Sequence, residues 1–585
     1  MHKTMKNIKF RIAIVLLAAA TIITGCGINP MIRDYEEDVT YTPAVNPLEN
    51  HGGKVAVEVD GQISEGYFHS SAIVELTPVL RHNGEETTFE TKVLRGEGTE
   101  VDGRRITDNG PTNITVTDEA DFTKEMLASE LYMTARIYLE GDEDDAETLP
   151  ERKVADGVIN TSQRVVKDEN IELAPHGYEE EVIVTKSANI YYEYMLHRLD
   201  WNYELNQEDE AKERIEKVKN FLEKGWEIKS AKVNAWASPE GEIAFNEELA
   251  EDRASTTYDY WKDEINDIVE GIEEEGYEFP EIDVTSKGED YDGFMKKLDA
   301  SDLPEKDAIR NVINSELDPI EREERIKDMT VIYEEIEKIL KPLRRGEIVV
   351  EAYEPKRTDE EIAGLATTNP EELDKDELLY AADVLIDCPE TMNEIYSAVK
   401  ELYPECYKAF NNAAYTYLKV GNAEKAAENL EKANELEPNT GYVLNNLGVV
   451  AAWEDDYENA QSYYEAAQAD GIDTDYNVGN IMIIIGDYDA ALSSYAGHSC
   501  THNVSLAHLM NENEQEAMTN LECADETAAV AYLKAIIGAR RDDNTMLYEN
   551  LRKAIELDPD YKEEAQIDRE FIEYFEVGEF QEIVN

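Results

Sequence analysis

The spacing of apolar and polar positions changes several times along the chain. From Val55 to about Glu181, apolar residues alternate with polar ones in short runs, Val55-Ala-Val-Glu-Val, Ala72-Ile-Val-Glu-Leu, Ile114-Thr-Val and Tyr132-Met-Thr-Ala-Arg-Ile-Tyr, with Gly, Asn and Asp between them. A period of two turns one face of a strand inward, and several such runs predict an antiparallel β-sandwich. The period becomes helical between Gln207 and Lys224, where Ala211, Ile215, Val218, Phe221 and Leu222 form a stripe and Gly225 a stop. Alternation returns at Ala231, Val233, Ala235 and Ala237, followed by a Ser238-Pro239-Glu240-Gly241 turn. The next helix turns Phe245, Leu249, Thr256 and Tyr260 inward, and Asn246 and Arg253, seven residues apart, share a face. Such a strand–turn–helix presents a polar ledge suited to a small anionic ligand rather than to covalent chemistry. Ile282-Asp-Val-Thr and Glu347-Ile-Val-Val-Glu-Ala predict two further strands, with about 50 residues of charged, helical sequence before the second.

Gly241, Phe245, Asn246, Leu249, Arg253 and Ala254 fall without a gap on a known pattern. The stretch resembles the OmpA-like domain that grips peptidoglycan, and Leu343-Arg344-Arg345 with the strand after it is similar to the end of that domain. The resemblance covers roughly 185–355, with a helical insertion at about 290–340, and implies a central α+β fold. It also implies a site for the diaminopimelate of the wall peptide, in which Arg253 stands at the position of a clamping Arg. Ser238 stands where the family has Asp, and a hydroxyl supplies no charge to pair with an ammonium group. Ser238, Asn246 and Arg253 are therefore the ligand-binding candidates. The Ser-Pro-Glu-Gly form resembles lipoproteins of Bacteroides-type bacteria.

From about Glu372 a longer period takes over. Phe410, Ala413, Ala414, Tyr417, Ala426, Leu430, Ala433 and Pro438 are followed by Leu444, Leu447, Gly448, Ala451, Ala460, Tyr464 and Ala467. A shortened copy carries Val478, Gly479, Ala491 and Tyr495, a degenerate one Ala517, Leu521 and Ala524, and a last one Ala535, Leu551, Ala554 and Pro559. This spacing resembles tetratricopeptide repeats and predicts an all-α solenoid over 372–570, since no single repeat buries its own apolar face. Small residues let paired helices close, and large ones fill the neighbour.

The first residues read as an address. Lys3, Lys6, Lys9 and Arg11 precede an apolar run, Ile12 to Ile23, too short to span a bilayer. It ends Ile23-Thr24-Gly25-Cys26, which resembles the bacterial lipobox. Residues 1–25 are expected to be a lipoprotein signal peptide, Cys26 the lipidated (palmitate-bearing) N-terminus, and 26–52 a tether ahead of a β-rich domain at 53–182. Gly27 in place of Asp favours the outer membrane, its face undetermined.

Charge then narrows the partners. With 55 basic against 130 acidic residues, a net −75, the protein has little with which to displace the counterions of a nucleic acid. Cys388–Cys406 and Cys500–Cys523 are the local disulfide pairings open to an exported chain, and buried thiols are the alternative. His498, Cys500, His502 and His508 have metal-ligand types at close spacing, but a polar connector between degenerate repeats accounts for them as well. No cofactor is expected, and no spacing sets a nucleophile beside a base, so an enzyme is disfavoured. The preferred reading is an outer-membrane lipoprotein scaffold that holds a partner protein on its repeats. A peptidoglycan-binding anchor is the second reading. The third is a glycan-binding lipoprotein of a polysaccharide-uptake system, with Trp236, Trp261 and Trp453 as its aromatics.

Overall fold

The computed structural model describes residues 27–585 apart from 83, 108, 273–276, 316 and 330–332. The signal peptide and Cys26 lie outside the described residues. These fold as two compact units, one of residues up to Pro175 together with Asp387–Asn585, the other His176–Ile386.

In the first unit the alternating runs form two sheets. Lys54–Ile63 is the centre of one; it pairs along its length with Thr112–Asp121 and, on its other edge, with Val39–Pro43 and the end of Leu48–His51. Ala72–His82 and Glu130–Leu139 are the antiparallel centre of the other. Val55, Val57 and Val59 from the first share one core with Leu76, Leu80, Leu131, Met133 and Ile137 from the second, as the period of two requires. Where a tether is expected at 26–52, residues 29–51 instead form a helix and two strands. Asn29–Asp38 is a helix opened by Pro30, and it sinks Met31 (1% exposed) and Tyr35 (2%) into that core before two strands follow. The Asn and Pro residues that resembled linker composition mark helix and strand ends.

The C-terminal part is a solenoid of antiparallel helix pairs: Tyr407–Lys419 with Ala423–Leu436, Gly441–Trp453 with Tyr457–Ala469, Asp475–Ile484 with Tyr488–Ser494, His502–Met510 with Glu514–Cys523, and Ala528–Arg540 with Asn544–Leu557. All five sequence copies are pairs. The small and large positions meet: a Cβ on Gly448 would lie 2.5 Å from the Tyr464 ring, and one on Gly479 2.4 Å from the Tyr495 ring. Each pair turns on a left-handed residue two positions past the first helix, namely Gly421, Asp455, Gly486, Glu512 and Asp542. An Asn or Asp follows each, and four of these five cap the second helix through their side chains.

The strands of the first unit end at Ile159. Residues 163–175, which sequence assigns to the β-rich region, are an extended strap lying on the solenoid helices, with Ile171 and Val165 packed into solenoid cores.

The second unit is built on a four-stranded sheet in the order Ile183–Tyr191, Arg345–Tyr353, Ile228–Ala237, Ile282–Glu289, antiparallel except for the last pair. Asp209–Leu222 and Ile243–Val269 contribute Ile215, Val218, Phe221, Trp261 and Ile265 to its core. A Cβ at Gly346 would stand 1.8 Å from Thr257 Oγ1, so glycine lets the long helix lie against the strand. Between Ile282–Glu289 and Arg345–Tyr353 in the chain, four short helices over 291–340 close a small core of Phe294, Leu298, Ile309, Ile336 and Leu343.

Candidate functional site

Two arrangements have the geometry of binding sites, one in each unit. The first is built at the Ser238–Gly241 turn, where Gly241 takes φ +90° and the Ile243–Val269 helix begins. Ser238, Asn246 and Arg253, the three sequence candidates, line one cavity of about 310 Å³ with Glu240, Phe245 and Tyr194. Arg253 is 1% exposed and donates to three main-chain carbonyls, from Nε to Leu196 at 3.0 Å, from Nη1 to Trp236 at 3.0 Å and from Nη2 to Glu193 at 3.1 Å. Burial, and then the neighbouring Arg344 charge, lower its pKa to about 10. Its structural role is therefore to hold the 193–196 loop at the cavity mouth. Asn246 Nδ2 donates to the Glu240 carbonyl and to Glu289 Oε1, both at 2.7 Å, which fixes the turn on the helix.

Sequence reasoning missed Glu240 and Arg344. Glu240 is 5% exposed; its Oε1 accepts from Ser238 Oγ at 2.6 Å and from Arg344 Nη2 at 2.5 Å. Arg344 reaches on to Glu337 at 2.8 Å. Burial alone would lower the Arg344 pKa, but Glu337 and Glu240 outweigh it and raise it. Glu240 Oε2 has no hydrogen-bond partner among the described residues. A carboxylate thus stands two residues after Ser238, with one buried oxygen available to a donor. The available signal was an acid inside the turn and the Arg344-Arg345 pair. The arrangement offers a ligand hydrogen bonds and charge.

The second arrangement is the inner face of the solenoid, where asparagine recurs from pair to pair. Asn412 Oδ1 accepts from the Ala174 N–H at 2.9 Å while its Nδ2 donates to the Ala174 carbonyl at 2.9 Å. Asn446 clamps Glu172 in the same way at 2.8 and 2.7 Å, Asn477 clamps Asn170 at 2.7 and 2.9 Å, and Asn503 clamps Val166 at 2.8 and 2.8 Å. These four asparagines are buried, come from the first helices of successive pairs, and are each bonded to another asparagine, as where Asn446 Nδ2 donates to Asn411 Oδ1 at 3.1 Å and Asn477 Nδ2 to Asn445 Oδ1 at 3.0 Å. Side chains of the strap enter at two places. Arg164 pairs with Asp568 at 2.6 Å and Glu564 at 2.7 Å over the Tyr532 ring, 4.3 Å from its centre. Asp168 accepts from Tyr476 Oη and Asn503 Nδ2, both at 2.8 Å, and Glu169 Oε2 accepts from Trp453 Nε1 at 2.7 Å.

The remaining sequence candidates are placed as follows. Cys500 is bonded to Cys523, one of the two local pairings, so it has no thiolate to offer a metal beside His498 and His502. Cys388 and Cys406 are thiols preceding successive helices, separated by the 14-residue helix Pro389–Leu402. A helix of that length holds their Cα atoms roughly 20 Å apart, beyond a disulfide's reach of about 7 Å. Trp261 is fully buried, Trp236 lies under Arg345 and Trp453 is bonded to Glu169, so these three form no aromatic platform.

No protein-family model matches the chain, and no curated protein matches it. Among solved structures it is similar to a tetratricopeptide repeat protein from Parabacteroides merdae, 13% identical over 36% of this chain and 90% of that one, TM-score 0.30. It is also similar to YrrB, a tetratricopeptide protein with an unusual peptide-binding site (20% identical, 29% of this chain and 94% of that one, TM-score 0.23). A third is the C-terminal part of a repeat protein from Cytophaga hutchinsonii (15% identical, 34% and 85%, TM-score 0.24). The five helix pairs themselves define the class of the C-terminal part, a tetratricopeptide-type solenoid.

Proposed function

We propose that the chain is a lipid-anchored envelope scaffold that holds a partner protein and carries out no catalysis. The observation behind this reading is the solenoid's inner face, where buried asparagines hold polypeptide main chain residue by residue, the task a protein-binding surface performs. The lipobox ending at Cys26 and its Gly27 neighbour support attachment to the outer membrane. Because the strap lies on the solenoid helices, the test uses the whole chain. Full-length protein crosslinked in envelopes should recover one specific protein, and a Cys26→Ser version should lose both the acyl mass and membrane recovery. Recovery of nothing above background would end the scaffold reading.

One observation favours a second activity in the central unit, binding of the wall peptide. Glu240 brings to the cavity the carboxylate that Ser238 does not, beside Arg253 and Asn246. This supports the OmpA-like resemblance with a shifted acid. The full chain should sediment with peptidoglycan, and Glu240→Gln should release it while Arg253→Lys, which keeps the charge near the 193–196 loop, weakens it less. If the unsubstituted chain stays in the supernatant, the wall is not its ligand.

A further inference from the structure

The solenoid groove reads main chain, yet its occupant fits it poorly in charge. Asn446, Asn477 and Asn503 each take one residue's N–H and carbonyl, groups that every peptide carries. Selection by side chain falls to Arg164, whose charge Asp568 and Glu564 match, and to the stretch at Asp168 and Glu169, where the charge is not matched. Glu169 is 8% exposed, and its carboxylate meets Trp453 Nε1 and, at 3.5 Å, Asn480 Nδ2. Asp168 beside it is exposed to solvent on one side and meets the Tyr476 hydroxyl and Asn503 on the other, so Glu169 is the anion taken out of water. Every one of these donors is neutral. Lys167, the adjacent cation, turns its Nζ to the Trp453 carbonyl at 3.1 Å instead. Bringing an anion out of water against neutral donors alone is costly, whereas an amide of the same length accepts from the same donors without that cost.

We propose that residues 163–175 are a displaceable resident of this groove, and that its second occupant is an extended segment of a partner protein bearing uncharged side chains where the strap has Asp168 and Glu169. The proposal rests on the scaffold reading and adds to it the place of binding and the rule of selection. Main-chain clamps make the exchange possible, because the incoming segment re-forms the bonds that the strap gives up. The buried Glu169 carboxylate, with Asp168 beside it, sets its direction.

The experiment uses two labelled peptides with the sequence of 163–175, one native and one with Asp168→Asn and Glu169→Gln, added to the full chain at neutral pH. Anisotropy reads binding, and amide exchange at Asn170 and Glu172 reads displacement. The substituted peptide should bind at least about tenfold more tightly than the native one and speed exchange at both amides. The same two substitutions in the chain itself should slow that exchange and weaken binding of the peptide by a similar factor. Equal binding of the two peptides would overturn the charge rule. Absence of binding, with strap amides exchanging only as slowly as the solenoid helices, would make the strap a permanent part of the fold and overturn the proposal. Capture of an envelope partner in that case would leave the scaffold standing and put the partner outside the groove.

Discussion

Glu512 adopts φ 59° in the turn between two paired helices, where Gly421 and Gly486 serve in other repeats. A side chain in that conformation costs about 1 kcal/mol, so Glu512→Gly should raise stability by up to about that amount in a urea titration, and Gly421→Glu should lower it. The inner positions are less forgiving. Gly448→Ala puts a methyl against the Tyr464 ring at 2.5 Å and should cost about 1–3 kcal/mol, while Gly578→Ala, which meets nothing within 4 Å, should be close to neutral. These positions were legible in sequence because glycine and tyrosine recur at a fixed separation. Glu240 was not legible: a carboxylate in a turn has the composition of a solvated loop, and only Arg344, far along the chain, draws it inward.

At the scale of the element, the strap is the feature that periodicity could not reveal. It is held largely by main-chain bonds that any sequence can make, and its few side-chain anchors, Arg164, Asp168 and Glu169, recur at no period. The reader's side does: Asn411-Asn412 and Asn445-Asn446 repeat at the tetratricopeptide period and are buried where the repeat consensus alone gives no reason for an amide. Asn446→Ala removes two bonds to Glu172 and strands its N–H, while Asn411 Nδ2 still meets its carbonyl at 3.1 Å, a loss of about 1–3 kcal/mol in equilibrium unfolding. Burial pushes the Asp168 pKa up to about 6 from 3.8, so the folded chain keeps that proton where an unfolded chain has lost it. Its stabilising contribution is fully present below the unfolded value and is lost as pH rises toward 6, reduced by the solvent that reaches the residue. Asp168→Asn should therefore flatten the part of the decline in melting temperature that falls between about pH 4 and 6. The Cys500–Cys523 bond closes a 23-residue separation across one helix pair, and Cys500→Ser should cost about 3 kcal/mol.

For the whole molecule, the order of the chain differs from the order of its parts. The β-rich residues, the strap and the solenoid belong to one unit, and the central unit is inserted between strap and solenoid. Thr161 Oγ1 bonds Glu570 Oε1 at 2.5 Å, and Arg569 Nε donates to the Leu127 carbonyl at 3.1 Å, so the β-rich part and the last helices hold each other directly. Strand and helix periods gave the class of each segment, but which segments share a core depends on contacts hundreds of residues apart, which no local period records. A chain carrying only 387–585 leaves Asn412, Asn446, Asn477 and Asn503 without the main chain they clamp. The central claim, that the solenoid's inner face is a reader of polypeptide main chain, is tested most directly by amide exchange on the full chain and its Asn446→Ala, Asn477→Ala variant. The account predicts slow exchange at Asn170 and Glu172 in the unsubstituted chain and at least about tenfold faster exchange in the variant, with the solenoid helices still protected. Strap amides that exchange at the unprotected rate in the unsubstituted chain, or equally slowly in both, would contradict it.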